Sequence, residues 1–139
     1  MKTSYADIVA YVTKDGSEIR ELMHPHLHAA RQQSLAEATL QPGQCTQLHR
    51  HHMTEEIYHV TAGRGRMTLG DDVFEVYPGD SVLVSPNTAH CIEAIGPEVL
   101  RVLCCCSPPY SHADTELIAP TLEPAHGPLG RSSMLKKPE

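Results

Sequence analysis

Tryptophan is absent from this chain and phenylalanine occurs once, so aromatic residues make up only 4% of the sequence. The core must therefore come from Val, Leu, Ile, Ala, Met and Cys, and small branched side chains suit a strand interior. Basic charge is also scarce. Eleven Lys and Arg against seventeen Asp and Glu give a net charge of −6 with no basic stripe, which argues against a nucleic-acid backbone as partner. Long apolar runs are missing: nowhere do the roughly eighteen apolar residues of a membrane span run together. The short stretch Ile8-Val9-Ala10 is broken by Asp7 and followed by Lys14 and Asp15, so no secretory leader is expected. Five cysteines, with three adjacent at Cys104-Cys105-Cys106, do not make a disulfide framework and suit a reducing compartment. These absences predict a cytoplasmic protein that meets neither nucleic acid nor membrane and takes a small molecule as its partner.

What is present is turn punctuation between brief β-prone runs. Ile19–Leu22, Gln33–Leu40, Ile57–Val60, Arg66–Leu69, Val73–Val76, Ser81–Val84, Cys91–Ile95 and Val99–Cys106 are separated by Pro42-Gly43, Gly63, Gly65, Gly70-Asp71, Pro78-Gly79 and Gly96-Pro97. That cadence is all-β. At 139 residues the chain can bury one core, with about two thirds of its unfolded surface removed from water. Residues 1–113 are predicted to form a single β-barrel domain that includes the N-terminal strands, and 114–139 a tail in which Pro120, Pro124, Pro128 and Pro138 resist regular structure. Within that tail, Asp114 to Ile118 is the one stretch with a weak signal for a helical turn.

The chemistry concentrates in His49-Arg50-His51-His52-Met53-Thr54-Glu55-Glu56, followed later by His90. On a strand, residues two apart point the same way, so His49 and His51 project together. A reversal through Met53 and Thr54 would bring the next strand back alongside as a hairpin, carrying the Glu56 carboxylate to the same point. His90 follows the turn-forming Ser85-Pro86-Asn87-Thr88-Ala89 and could close the set from an adjacent strand. Alternation points His52 away from this face and His59 opposite to Glu56, leaving Tyr58 on the Glu56 side. Gln47 and Cys45, two and four residues before His49, should share its face and line the barrel.

These intervals resemble the two motifs of the cupin superfamily. Gly43, five residues, His49-x-His51, four residues, Glu56, six residues and Gly63 match the first closely. The second is worn: Gly79-Asp80 opens it, Ser85-Pro86-Asn87 stands at the usual Pro-x-Gly, His90 is present, and Ala94 replaces the terminal Asn. Asn87 is a mild departure from Gly because Asn tolerates the left-handed conformation. Motifs and strands together span roughly residues 34 to 107. The resemblance implies a double-stranded β-helix, or jelly-roll barrel. It also implies one divalent transition metal, Fe(II), Mn(II), Ni(II) or Zn(II), on His49, His51, Glu56 and His90, and a homodimer.

Three neutral imidazoles and one carboxylate leave a divalent ion with a charge of about +1 and about two open octahedral positions, where substrate or oxygen binds. The lack of thiolate ligands argues against a closed structural zinc site. The expected function is thus a metal-dependent enzyme acting on a small organic molecule, first of all an oxygen-using dioxygenase. An isomerase, epimerase or lyase and a non-catalytic binder are the alternatives. Tyr58 reads either as a phenol that orients substrate or donates a proton, or as a core Tyr with its hydroxyl bonded internally. Gln47 reads as an outer contact to ligand or substrate, or as an amide of the barrel wall. At least one of Cys104 to Cys106 points inward, as a small hydrophobe or a reactive thiol. His24, His26 and His28, interrupted by Pro25, read as a loop with exposed imidazoles before a second metal site. Arg64, Arg66 and Arg101 are candidates for an anionic substrate's carboxylate.

Overall fold

Alternating branched and polar residues arrange the computed structural model, which describes residues 1–119, as two antiparallel sheets. After a 3-10 turn at Tyr5–Asp7 come β1 (Tyr11–Val12), β2 (Glu18–Met23), β3 (Ser34–Leu40), β4 (His49–His51), β5 (Glu55–Ala62) and β6 (Arg64–Leu69). They are followed by β7 (Asp72–Val76), β8 (Ser81–Val84), β9 (His90–Ile95), β10 (Leu100–Ser107) and β11 (Thr115–Leu117). One sheet runs β1-β2-β3-β10-β5-β8, the other β11-β4-β9-β6-β7. This is the all-β jelly roll that the cadence of short runs predicts, and each of the eight expected runs lies on a strand whose bounds differ by at most two residues.

The alternation is visible in burial. Along β10, Leu100, Val102, Cys104 and Cys106 face inward, while Arg101, Leu103 and Cys105 face out or lie at the margin. Leu40, Met67, Leu100, Val60 and Val102 are almost fully buried in the core between the sheets. Each such side chain contributes about 1.5–3 kcal/mol by leaving water. Tyr58 is the one aromatic residue in this core.

Gly63 turns β5 into β6 with φ +77°, and a Cβ there would run into the carbonyl oxygen of Val99 and lie 2.8 Å from the Leu100 Cα. Sterics therefore demand glycine at this position. Asn87 adopts φ +64°, the left-handed conformation that its sequence context suggests.

The outer strands of the two sheets, β1, β8, β11 and β7, are kept short at two, four, three and five residues. Two expectations are corrected. The hairpin of β4 with β5 does not form. β4 pairs with β9 and β11, β5 with β10 and β8, so the turn through Met53 and Thr54 carries the chain from one sheet to the other. The helical turn over Asp114 to Ile118 is instead strand β11, because its backbone completes the free edge of β4 through Thr115↔His51, Glu116↔Arg50 and Leu117↔His49. The second sheet thereby extends past residue 113 to Leu117, and the remainder of the expected tail, 120–139, lies outside the described residues. No helix among the described residues is long and apolar enough to cross a membrane.

Candidate metal centre

His49 and His51 both project inward from β4, and His90 projects from the first position of β9, directly opposite His49. Their metal-binding ring nitrogens all lie within 4.8 Å of one another, and among the described residues this is the cluster of His, Cys, Asp and Glu able to hold an ion. Glu56 arrives from the facing sheet. Its Oε1 stands 3.3 Å from His51 Nε2 and 3.5 Å from His90 Nε2, with all three side chains buried. Glu55, one residue earlier, points outward, as do His52 and Met53.

Hydrogen bonds at the far side of each ring fix which nitrogen carries the proton. His49 Nδ1 donates to the Gln47 carbonyl at 2.7 Å, and His90 Nδ1 to the Thr88 carbonyl at 2.9 Å. His51 Nδ1 is 2.9 Å from Thr115 Oγ1, whose own proton goes to the Ser111 carbonyl at 2.8 Å, so the hydroxyl must accept from His51. All three neutral rings then turn Nε2 lone pairs toward the centre. His51 Nε2, His90 Nε2 and Glu56 Oε1 are buried without a hydrogen-bond partner among the described residues. Lone pairs and a carboxylate oxygen crowded together in this way repel unless a positive charge lies between them. Burial pushes the Glu56 carboxyl up, but its contacts with His51 and His90 outweigh burial and hold it down at about 2. A divalent cation would satisfy the three clustered nitrogens, with Glu56 Oε1 beside His51 and His90, so the residues fit the expected ion. Burial, reinforced by His90, lowers the His49 pKa and favours the neutral, ligating ring.

A cavity of about 40 Å³ adjoins this cluster. One water occupies roughly 10–15 Å³ on this measure, so there is room for a few water-sized groups. Tyr58 lines the cavity edge-on to His90, with ring centroids 5.9 Å apart. Its phenol is pushed well above the usual value, first by burial and then by Glu56, and so keeps its proton. Tyr11, Glu21 and Tyr110 belong both to this cavity and to an outer cleft of about 390 Å³ bordered by His24, His26 and His112.

Gln47 and Cys45 do not line the cavity; both are exposed. Thr46 points inward instead, and from Thr46 to His49 is an odd step that an unbroken strand could not make with both facing in. The irregular Gln47-Leu48 segment absorbs the extra residue. Gln47 serves the centre through its backbone carbonyl, on His49 Nδ1. Cys104 and Cys106 face the cavity, and burial followed by the Glu56 charge raises both thiols, which disfavours their thiolate forms. Cys106 donates its S–H to Glu56 Oε2 at 3.1 Å, orienting the carboxylate. His24 to His28 form a loop, but His24 is buried: Nδ1 accepts from the His26 amide and Nε2 meets the Tyr110 carbonyl, which leaves no nitrogen for metal. Arg66 and Arg101 pair with Glu93 and Glu37 on the outside, Arg64 is exposed, and no Lys or Arg among the described residues lines the cavity.

Sequence reasoning missed Thr115 and Asp15, and it gave the inward-facing Cys106 no part in holding Glu56. Asp15, in the turn between β1 and β2, is buried with Oδ2 3.6 Å from His49 Nε2. No spacing signal links residue 15 or 115 to the His motif, since only the folded sheet order brings them there.

A family model described as Cupin domain matches residues 36–106. The uncharacterized protein MJ1618 of Methanocaldococcus jannaschii is 52% identical over 118 residues, covering 85% of this chain and 94% of that protein. Among solved structures, a predicted oxalate decarboxylase from Thermotoga maritima aligns with a TM-score of 0.69 at 21% identity over 78% of this chain and 99% of its own. Oxalate decarboxylase from Bacillus subtilis aligns with a TM-score of 0.73 at 23% identity over 85% of this chain, which spans about a third (32%) of that longer protein. At these identities the likeness to the solved structures is one of fold.

Proposed function

The chain belongs to the cupin family, and from that premise we propose that it is a metal-dependent enzyme acting on a small organic molecule, with His49, His51, Glu56 and His90 as metal ligands. The observation that carries this reading is the convergence of buried Nε2 and Oε1 atoms without hydrogen-bond partners, behind rings whose Nδ1 atoms are all held. Fe(II), Mn(II), Ni(II) and Zn(II) all suit this donor set. The bound ion supplies Lewis acidity or, as iron, oxygen activation. The chain's own groups do the rest: the inner cavity admits only a small reacting group, Tyr58 bears a proton beside it, and Cys106 holds Glu56 in place.

Two chemistries are open to such a centre. The dioxygenase reading rests on four protein donors, which leave room for substrate and oxygen together. The isomerase, epimerase or lyase reading needs a single free position, and Asp15 on the His49 side of the centre favours it. Oxygen uptake by the iron-loaded protein across small diketones, thiols, catechols and sugar acids separates them. Uptake stoichiometric with substrate loss selects the dioxygenase; conversion of substrate without uptake selects the second reading. No conversion by any metal form would leave a binder and refute the enzyme.

A cytoplasmic location belongs to the same reading, supported by five free cysteines. So does homodimerisation, supported by exposed Ile57 and Leu83, cross-strand neighbours on the outer face of β5 and β8. Sedimentation at micromolar concentration should give twice the chain mass of 15.3 kDa, and a monomer would contradict it.

A further inference from the structure

Asp15 is an acidic side chain beside the His cluster that the family motif does not account for. It sits in the tight turn Thr13 to Ser17, closed by Thr13 and Ser17 through their backbones and by Gly16 N–H to the Thr13 carbonyl. Its Oδ1 accepts both the Ser17 amide at 2.9 Å and the Ser17 hydroxyl at 2.7 Å. Its own carbonyl accepts the Gln47 amide at 2.8 Å, and the Gln47 carbonyl in turn holds His49 Nδ1 at 2.7 Å. The turn is therefore fastened to the segment that orients His49. With Oδ1 committed, Oδ2 is left toward the cavity, 3.6 Å from His49 Nε2, and Asp15 is among the residues that line it.

A turn braced by Ser17 needs only one carboxylate oxygen, so bracing does not explain where the second one goes. At 3.6 Å the separation from His49 Nε2 is too long for a hydrogen bond. It is instead close to the Glu56 separations of 3.3 and 3.5 Å from His51 and His90. Donors about 2.1 Å from one octahedral ion lie about 3.0 Å apart when cis and about 4.2 Å apart when trans, and the separations of Asp15 and Glu56 from the imidazoles fall between these limits. The two carboxylates thus approach the imidazole cluster from different sides, Glu56 beside His51 and His90, Asp15 beside His49.

Resting on the metal-centre reading above, we propose that Asp15 is a fifth protein ligand, joining His49, His51, Glu56 and His90 through Oδ2. Two carboxylates balance the charge of a divalent ion, and five protein donors leave one octahedral position instead of two. Substrate and oxygen then cannot both bind the ion while every donor stays in place, which sides with isomerase, epimerase or lyase chemistry. With no Lys or Arg among the described residues on the cavity wall, the remaining position suits a neutral carbonyl or hydroxyl oxygen.

The test counts exchangeable water on the ion. The protein is loaded with Mn(II), and the oxygen-17 relaxation of solvent water gives the number of waters that the ion holds directly. Wild type should hold one. Asp15→Asn, whose side-chain oxygen can still accept from Ser17, should hold two and bind Mn(II) at least tenfold more weakly. Ser17→Ala, which keeps the carboxylate, should still hold one. Equal counts in wild type and Asp15→Asn overturn the proposal while leaving the four-ligand centre standing. Two waters on wild type overturn it without any variant, so a failure of Asp15→Asn to fold does not protect it. Absence of Mn(II) binding by wild type overturns this proposal and the metal reading together.

Discussion

His49 and His90 face each other directly across β4 and β9, with ring centroids 4.1 Å apart and each Nδ1 tied to a backbone carbonyl two residues upstream. Neither ring can turn away without giving up that bond, so the backbone itself aims both Nε2 atoms inward. His51 lacks such a carbonyl. Its Nδ1 depends on a hydroxyl 64 residues away in sequence.

That dependence makes Thr115 a sensitive position. Thr115→Val keeps the volume and the β-branch, and with them the pairing of β11, but removes the acceptor for His51. Metal affinity should fall by roughly 10–100-fold, the usual cost of losing a group that orients a ligand, while far-UV circular dichroism stays unchanged. Isothermal titration of the apoprotein with Zn(II) measures it, and an unaltered affinity would mean that Thr115 does not orient the ring.

Gly63 supports a prediction about stability. Alanine there would combine a left-handed backbone with a clash against Val99 and Leu100. Gly63→Ala should cost about 3 kcal/mol and lower Tm by roughly 10 °C. Asn87→Gly, at a left-handed position that glycine adopts freely, should change stability by less than about 1 kcal/mol. Thermal melts of the two variants side by side check the contrast.

The cysteines give a pH dependence. Cys45 is exposed, yet partial burial of its thiol, followed by the neighbouring Cys91 and Glu93, raises it to about 11. A thiol whose pKa is raised by folding holds its proton more tightly in the native state. Native Cys45 should therefore stay slow toward iodoacetamide at pH 8 and speed up only as the pH approaches 11. The unfolded chain, with an ordinary thiol near about 8.5, should react readily at pH 8. Peptide mapping by mass spectrometry after timed alkylation reads this out, and rapid labelling of native Cys45 at pH 8 would contradict it.

Much of this was legible in the sequence for a definite reason. Strand positions followed from turn residues, and the inward direction of His49, His51, Glu56 and Tyr58 followed from period-two alternation on β4 and β5. The same rule failed for Gln47 and Cys45 because the chain is irregular between Thr46 and β4, and one extra residue inverts every side chain before it. The sheet to which β5 belongs was not legible, since a turn after β4 can lead back alongside or across to the other sheet with the same residues. Asp15 and Thr115 were hidden because β1 to β2 and β11 reach the centre through tertiary pairing that leaves no local pattern.

The most direct measurement of the central claim is metal content by elemental analysis, comparing wild type with the His49→Ala, His51→Ala double variant after identical loading and desalting. The account predicts close to one equivalent of divalent transition metal in wild type and almost none in the variant. Equal metal in both proteins would contradict it.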